Sequence, residues 1–259
     1  MSLDHYPLNP DYGKGIFRRR IRLIGEAGLV TTLLDDDYHS MWARLSHDGS
    51  VVTAAEAALF RFPKNTCGAA PRALQEIVGT PLAQERRAFF GNGRTARNCT
   101  HLLDLSLVML RHARLGTRSR VIDIAVTDRV EDIQHLHVAI DGRAIHDWTL
   151  EGNCLIAPEA VAGQSLMTGF AAWADGHFCD DALEAARMLQ KAVFVARGRR
   201  YLVDQAPPHR ATEEPHRLGD CFTFSEPQFS EAVSNLGYVR DFTAGLVEST
   251  PMPLGRAEL

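Results

Sequence analysis

The sequence has no apolar run approaching the roughly 20 residues needed to span a bilayer, so no membrane-spanning helix is expected. No apolar segment of the signal-peptide kind stands at its N-terminus. Cysteine is sparse. The five residues, at 67, 99, 154, 179 and 221, form an odd and scattered set, which predicts reduced thiols in a cytoplasmic protein, not a disulfide framework. Excess positive charge is missing as well: the net charge is -4 and the pI about 6.3, which argues against a nucleic-acid partner. Gly91-Asn92-Gly93 lacks the strand-before, helix-after setting of a phosphate cradle, and no Gly-x-Ser-x-Gly elbow is present. With no nucleotide or flavin signature, chemistry without an organic cofactor is expected. Internal repeats and low-complexity tracts are absent too.

What is present suffices for a sizeable core. The chain has 259 residues and 45% hydrophobic content, enough for one large domain or two small ones. Residues 1–14, with Pro7, Pro10 and Gly13, read as a flexible arm. Strand patterns follow over 16–24, 29–34, 41–45 and 51–60, the last two flanking the turn His47-Asp48-Gly49. Residues 67–78 read as a helix ended by Gly79, 80–98 as an irregular connection, and the stretch from Leu102 to Arg114 as a second helix. A second strand group is predicted over 120–126, 133–140 and 143–150, with a two-residue hairpin turn at Asp141-Gly142. A third helix is predicted over 180–195. From Ala206 onward the chain is polar and Pro-rich, yet Phe222, Phe224, Phe229, Tyr238 and Phe242 suggest a tail packed on the body. The predicted class is α+β, antiparallel β-hairpins packed with about three α-helices. Residues 15–118 form the expected core, 119–205 a strand-helix segment of the same compact domain, and 206–259 the tail.

Thiols and imidazoles cluster in three motifs. Asp36-Asp37-Tyr38-His39-Ser40-Met41 offers an imidazole beside carboxylates, the pairing a general base or acid needs. Asp37 is the expected orienting group, and Tyr38 a further proton donor. Cys67 follows Asn65-Thr66 at a helix start. Cys99 and His101 open the next helix, with Asn98 or Thr100 as N-cap. Two residues apart inside a helix they would diverge by about 200°, but in a capping turn both can face one mouth. A thiol at a helix N-terminus is expected to ionise more readily. A Cys early in a helix is, by itself, more often a small core residue, and an Asp run a solvated turn.

A second constellation depends on the Asp141-Gly142 hairpin. A two-residue turn pairs Ile140 with Arg143, Val138 with Ile145 and His137 with His146. Side-chain alternation then puts His135, His137, His146 and Trp148 on one face, a candidate zinc or iron site. Trp42, Trp148 and Trp173 are candidates for an aromatic substrate-binding wall. Arg18, Arg20 and Arg22 share one strand face, read as a solvated edge.

In these motifs the chain resembles DUF2889, a bacterial family of proteins of unknown function. The resemblance rests on Arg18–Arg22, His39 with Met41, Pro63 with Cys67, and Cys99-Thr100-His101-Leu102. It covers about residues 16–115 in consistent order. It departs from the family where Gly25 to Asp35 replaces a longer polar insert, and after 119, where His135, His137 and His146 lie. The resemblance implies bacterial breakdown of aromatic compounds, including lignin-derived ones. The expectation is therefore a cytoplasmic homodimeric lyase acting by acid–base chemistry on an aromatic intermediate, such as retro-aldol loss of formaldehyde. His39 serves as base and His101 as acid, with Cys99 and Cys67 shaping the pocket. No cofactor is favoured. The alternatives are a zinc or iron protein, using His39, Cys67, Cys99 and His101 or the second His set, and a non-catalytic ligand-binding module.

Overall fold

The expected strand series forms. In this computed structural model, which describes residues 6–253, the strands are β1 (Ile16–Glu26), β2 (Leu29–Asp36), β3 (Ser40–His47) and β4 (Val52–Arg61), then β5 (Ser119–Thr127), β6 (Ile133–Ile140), β7 (Arg143–Glu151) and β8 (Cys154–Ala157). The α-helices are α1 (Arg86–Phe89), α2 (Arg94–Arg97), α3 (Thr100–Arg114), α4 (Phe170–His177), α5 (Asp180–Ala196) and α6 (Gln228–Glu231). The class is α+β. Residues 1–5 of the expected arm and 254–259 of the tail lie outside the described residues.

Three details differ from expectation, the first being β8, a short strand where the sequence reads as a loop. The helix after Pro63 is a 3-10 helix, Asn65–Ile77, with Pro71 inside it. Proline has no N–H to give an i−4 carbonyl and crowds the preceding turn, which disfavours a regular α-helix there. The helix count also exceeds three: the one-turn helices α1, α2 and α6 form in segments read as irregular, and α4 forms in what reads as a Gly- and Pro-containing loop. Phe170, Ala171, Ala172, Trp173 and Ala174 run consecutively there, so its pattern lacks the polar-apolar alternation that marks a helix in sequence.

The described chain gathers into two compact units. Among the described residues one comprises 6–20, 120–206 and 240–247, the other 21–119, 207–239 and 248–253. In the first, β5, β6, β7 and β8 are neighbours in that order, paired antiparallel, with α5 against β6 and β7 and α4 against α5. Asp141 and Gly142 both have positive φ (51° and 77°), as a two-residue hairpin turn of the mirror-image type requires. The packed face buries Ile122, Ile124, Leu136, Val138, Trp148 and Leu189.

In the second unit β2, β3 and β4 pair antiparallel, with α3 against β2 and β3 and the 3-10 helix against β4. The register Leu34–Met41 and Thr32–Ala43 places these side chains, and Asp36, on one face of β2 and β3. Gly25 approaches the end of α3 so closely that a Cβ would stand 2.8 Å from the Gly116 carbonyl oxygen, so no larger residue fits. Phe224 and Phe229 bury themselves with Ala211 and Ala232. Lys64, itself buried, donates to the His209 carbonyl (3.1 Å) and to Ser234 Oγ (3.0 Å) and faces the buried Glu214 at 3.4 Å, fastening this later segment to the start of the 3-10 helix. Among the described residues no helix is long and apolar enough to cross a membrane.

Candidate active site

The turn between β2 and β3 carries three consecutive buried aspartates. Asp35, Asp36 and Asp37 are 3%, 0% and 0% exposed, so this is not the solvated turn that an Asp run suggests. Buried carboxylates persist only where partners replace the lost hydration. Asp36 Oδ1 accepts the backbone N–H groups of Tyr38 (2.8 Å) and His39 (2.7 Å), and the Asp36 N–H donates to the His39 carbonyl (2.9 Å). This tight Asx-type turn brings the carboxylate back onto the imidazole, with His39 Nδ1 lying 3.0 Å from Asp36 Oδ1 and 3.3 Å from Oδ2.

The group that orients His39 is therefore Asp36, where the motif suggested Asp37. The reason is alternation. Asp36 continues the inward face of β2 that holds Thr32 and Leu34, and only a side chain on that face meets the imidazole returning through the turn. A carboxylate on Nδ1 holds the proton there and leaves Nε2 as the basic nitrogen. Among the described residues Nε2 makes no hydrogen bond. His101, from the first turn of α3, stacks against His39 with ring centroids 4.1 Å apart and planes inclined at 38°. Tyr38 is buried with its ring edge toward His39 at 6.5 Å and near Tyr238 at 6.4 Å.

Three of the five thiols, Cys67, Cys99 and Cys221, lie close to one another. Cys99 is the N-cap of α3, and Cys221 the N-cap of the short helix Phe222–Phe224. The Phe222 N–H donates to the Asn98 carbonyl at 2.9 Å, joining those two caps. Cys67 Sγ lies 3.1 Å from Thr223 Oγ1. Loss of hydration pushes the Cys99 thiol up to about 12, and the Cys67 and Cys221 thiols also upward. Mutual repulsion among the three would-be thiolates adds to the effect at Cys99. The readily ionised thiol expected at a helix N-terminus is not what this environment produces, because desolvation outweighs the helix dipole.

Other predicted residues go elsewhere. A register shift between Val138 and Ala139 pairs His146 with Val138 and Asp147 with His137, one residue off the expected ladder. His146 and Trp148 therefore join the buried face of Leu136 and Val138, while His135 and His137 stay on the other, beside Thr149 and Asp147. The three imidazoles do not share one face. Among the described residues, no three of His, Cys, Asp and Glu are placed to hold a metal ion, and that includes His39, Cys67, Cys99 and His101. Trp148 and Trp173 pack with Phe170 and Phe178 in the first unit. Trp42 belongs to the second unit, on the side of β3 shared with Arg44, whose guanidinium stands 5.8 Å from its ring. Of the three tryptophans, only Trp42 is in the unit that holds His39.

Residues 28–114 match a family model, and its description is a protein of unknown function, DUF2889. The chain carries a DUF2889 segment. No curated protein matches the chain. The DUF2889 segment contains Asp36, His39, Arg61, Cys67, Cys99 and His101, and so the whole His39–Asp36–His101 arrangement. Tyr238, near Tyr38, and Cys221 and Thr223, beside Cys99 and Cys67, follow the DUF2889 segment. No spacing in the sequence connects them to it; only the paired occurrence of Cys and aromatic residues at 221–224 marks the place.

Proposed function

We propose that this protein is an enzyme of small-molecule acid–base chemistry, a lyase that removes a hydroxymethyl group from an aromatic catabolic intermediate as formaldehyde. The observation that carries the reading is the Asp36–His39 pair, with Nδ1 held by a buried carboxylate, Nε2 unpartnered among the described residues, and a second imidazole stacked on the ring. This is the arrangement of an oriented general base beside a proton donor.

In the proposed step His39 Nε2 takes the hydroxyl proton of the CH2OH group. The carbon–carbon bond breaks, formaldehyde leaves, and the electron pair stays on the carbon conjugated with the ring. A proton from His101 ends on that carbon, so R–CH2OH becomes R–H and formaldehyde. His39 has gained one proton and His101 has lost one, and transfer between the stacked rings or through water restores both. Cys67 and Cys99, as neutral thiols, contribute polarisable surface, whereas Trp42 lies on the face of β3 opposite to that of Asp36 and takes no part. The proposal includes a cytoplasmic homodimer, and the step needs no organic cofactor. All five cysteines are free, which suits a reducing compartment.

The test is formaldehyde release from a panel of hydroxymethyl-substituted aromatic compounds, with the wild-type protein and the His39→Ala and His101→Ala variants. Release by the wild type and its loss in both variants is expected. Equal release by folded His39→Ala, or none from any compound with the wild type, would remove the assignment.

A further inference from the structure

The turn carrying His39 is fastened from two sides, and one of them lies far along the chain. On the inner side Arg61, at the end of β4, donates from Nη2 to the carbonyls of Asp36 (2.7 Å) and His39 (2.9 Å). Its Nη1 donates to the carbonyls of Asp37 (3.2 Å) and Tyr238 (3.1 Å). One guanidinium thus spans three of the four residues of the turn, and a planar five-donor fork is the side chain suited to that task. Its Nη2 is also 3.8 Å from Asp35 Oδ1.

On the other side, Asp35 projects from the opposite face of β2 to Asp36, and residues 249 and 250 meet it. Asp35 Oδ1 accepts the Ser249 hydroxyl (2.7 Å) and the Ser249 N–H (3.2 Å), and Oδ2 accepts the Thr250 N–H (3.1 Å). The Thr250 hydroxyl donates to the Leu34 carbonyl (3.0 Å), which leaves Ser40 Oγ to donate to Thr250 Oγ1 at 2.8 Å. The residues joined, Leu34, Asp35 and Ser40, are those that enter and leave the turn. Glu248 is tied in the same way to Arg22, by a 2.8 Å ion pair.

Ser249 is exposed, and residues 248–253 have no helix or strand of their own. An exposed segment without a ladder is not needed to close a core. Yet it concentrates four hydrogen bonds on Asp35 and Leu34, against a carboxylate that is 3% exposed. Asp35 and Asp36 are consecutive, so rotation of one peptide moves both carboxylates. Freedom gained by Asp35 is passed directly to the group that holds His39.

We propose that Ser249 and Thr250, acting through Asp35, and Arg61, acting through the turn carbonyls, are positioning residues that set the His39 imidazole. The segment 248–253 is then part of the catalytic apparatus without touching substrate. The inference rests on the reading of His39 as the base, and it deepens that reading. Its test reads the imidazole itself, so it succeeds or fails independently of whether formaldehyde is released.

The experiment is nuclear magnetic resonance of the uniformly 15N-labelled full-length protein, with His39→Gln to assign the imidazole signal. The wild type is compared with Ser249→Ala/Thr250→Val, with Asp35→Asn and with Arg61→Lys, and Thr250→Ser serves as the conservative control. Loss of the clamp is expected to speed solvent exchange of the His39 Nδ1 proton, and of the Tyr38 and His39 amides, at least tenfold. Amides in the middle of α3 should keep their wild-type rates, and Thr250→Ser should retain wild-type exchange. A merely structural role would raise exchange throughout the unit or not at all. Unchanged His39 exchange in folded Ser249→Ala/Thr250→Val and in folded Asp35→Asn would overturn the proposal. Should Asp35→Asn fail to fold, the Ser249→Ala/Thr250→Val variant alone decides it.

Discussion

His39 and His101 come from opposite ends of the DUF2889 segment and stack with their ring centroids 4.1 Å apart. The contact requires β3 to begin immediately after the Asp36 turn and α3 to begin at Thr100, so that the first turn of the helix meets the imidazole. Asp36 Oδ1 lies 3.0 Å from Nδ1 at the edge of the His39 ring. A buried carboxylate and two imidazoles are thus in successive contact.

Asp36→Asn tests that contact. An amide can reproduce the shape of the turn, but its NH2 group, in the place of Oδ2 at 3.3 Å from Nδ1, can donate to that nitrogen and so favours the wrong tautomer. The expected effect is a fall in kcat of about 10²–10⁴-fold, the usual contribution of a positioned acid or base, with little change in KM. Steady-state kinetics of formaldehyde release, alongside a circular dichroism spectrum matching the wild type, would check it. Asp37→Asn, by contrast, leaves the Asp36–His39 contact in place and is expected to cost kcat much less.

The thiols should divide into two classes. Cys154 and Cys179 are exposed, whereas the Cys67, Cys99 and Cys221 thiols are pushed upward by desolvation. Only the thiolate is nucleophilic, so native protein at neutral pH is expected to alkylate rapidly at Cys154 and Cys179 and slowly at the other three. Iodoacetamide labelling followed by peptide mass spectrometry reads this directly. Cys99 reacting as fast as Cys154 would contradict the environment described. The sign for stability follows. The unfolded chain loses the Cys99 proton near the ordinary value of 9.0 and the folded chain holds it to about 12, so folding binds a proton and stability falls as pH rises through that window.

His146 supplies the opposite pH dependence. It is buried between Trp148 and Phe178, its Nε2 lies 2.8 Å from the Ala182 carbonyl, and burial lowers it below the ordinary 6.5. The unfolded chain then takes up the proton first as pH falls, so stability is present above 6.5 and declines on acidification toward the folded value. Urea unfolding at about pH 7.5 and about pH 5.5 should show the wild type losing more stability on acidification than His146→Gln, which has no such proton to take up. Equal losses in the two proteins would show that His146 does not titrate in this way.

Much of this architecture is written in local pattern. Alternation and the Asp-Gly turns locate β1 to β7, and apolar spacing from Leu102 with basic residues at the end locates α3. The Asp-x-x-His and Cys-x-His motifs mark the residues that meet at the site. Local pattern determines these because a strand's period and a turn's φ depend on neighbours in sequence. Which aspartate serves His39 is a different matter, since the face each carboxylate takes depends on the register of β2 against β3. One irregularity between Val138 and Ala139 likewise separates His146 from His135 and His137, because a shift of one residue exchanges the faces of a strand. The recruitment of Cys221 and Thr223 to Cys99 and Cys67, and of Ser249 and Thr250 to Asp35, spans more than a hundred residues of chain. Such contacts form only after the intervening segments have packed, so tertiary structure alone decided them.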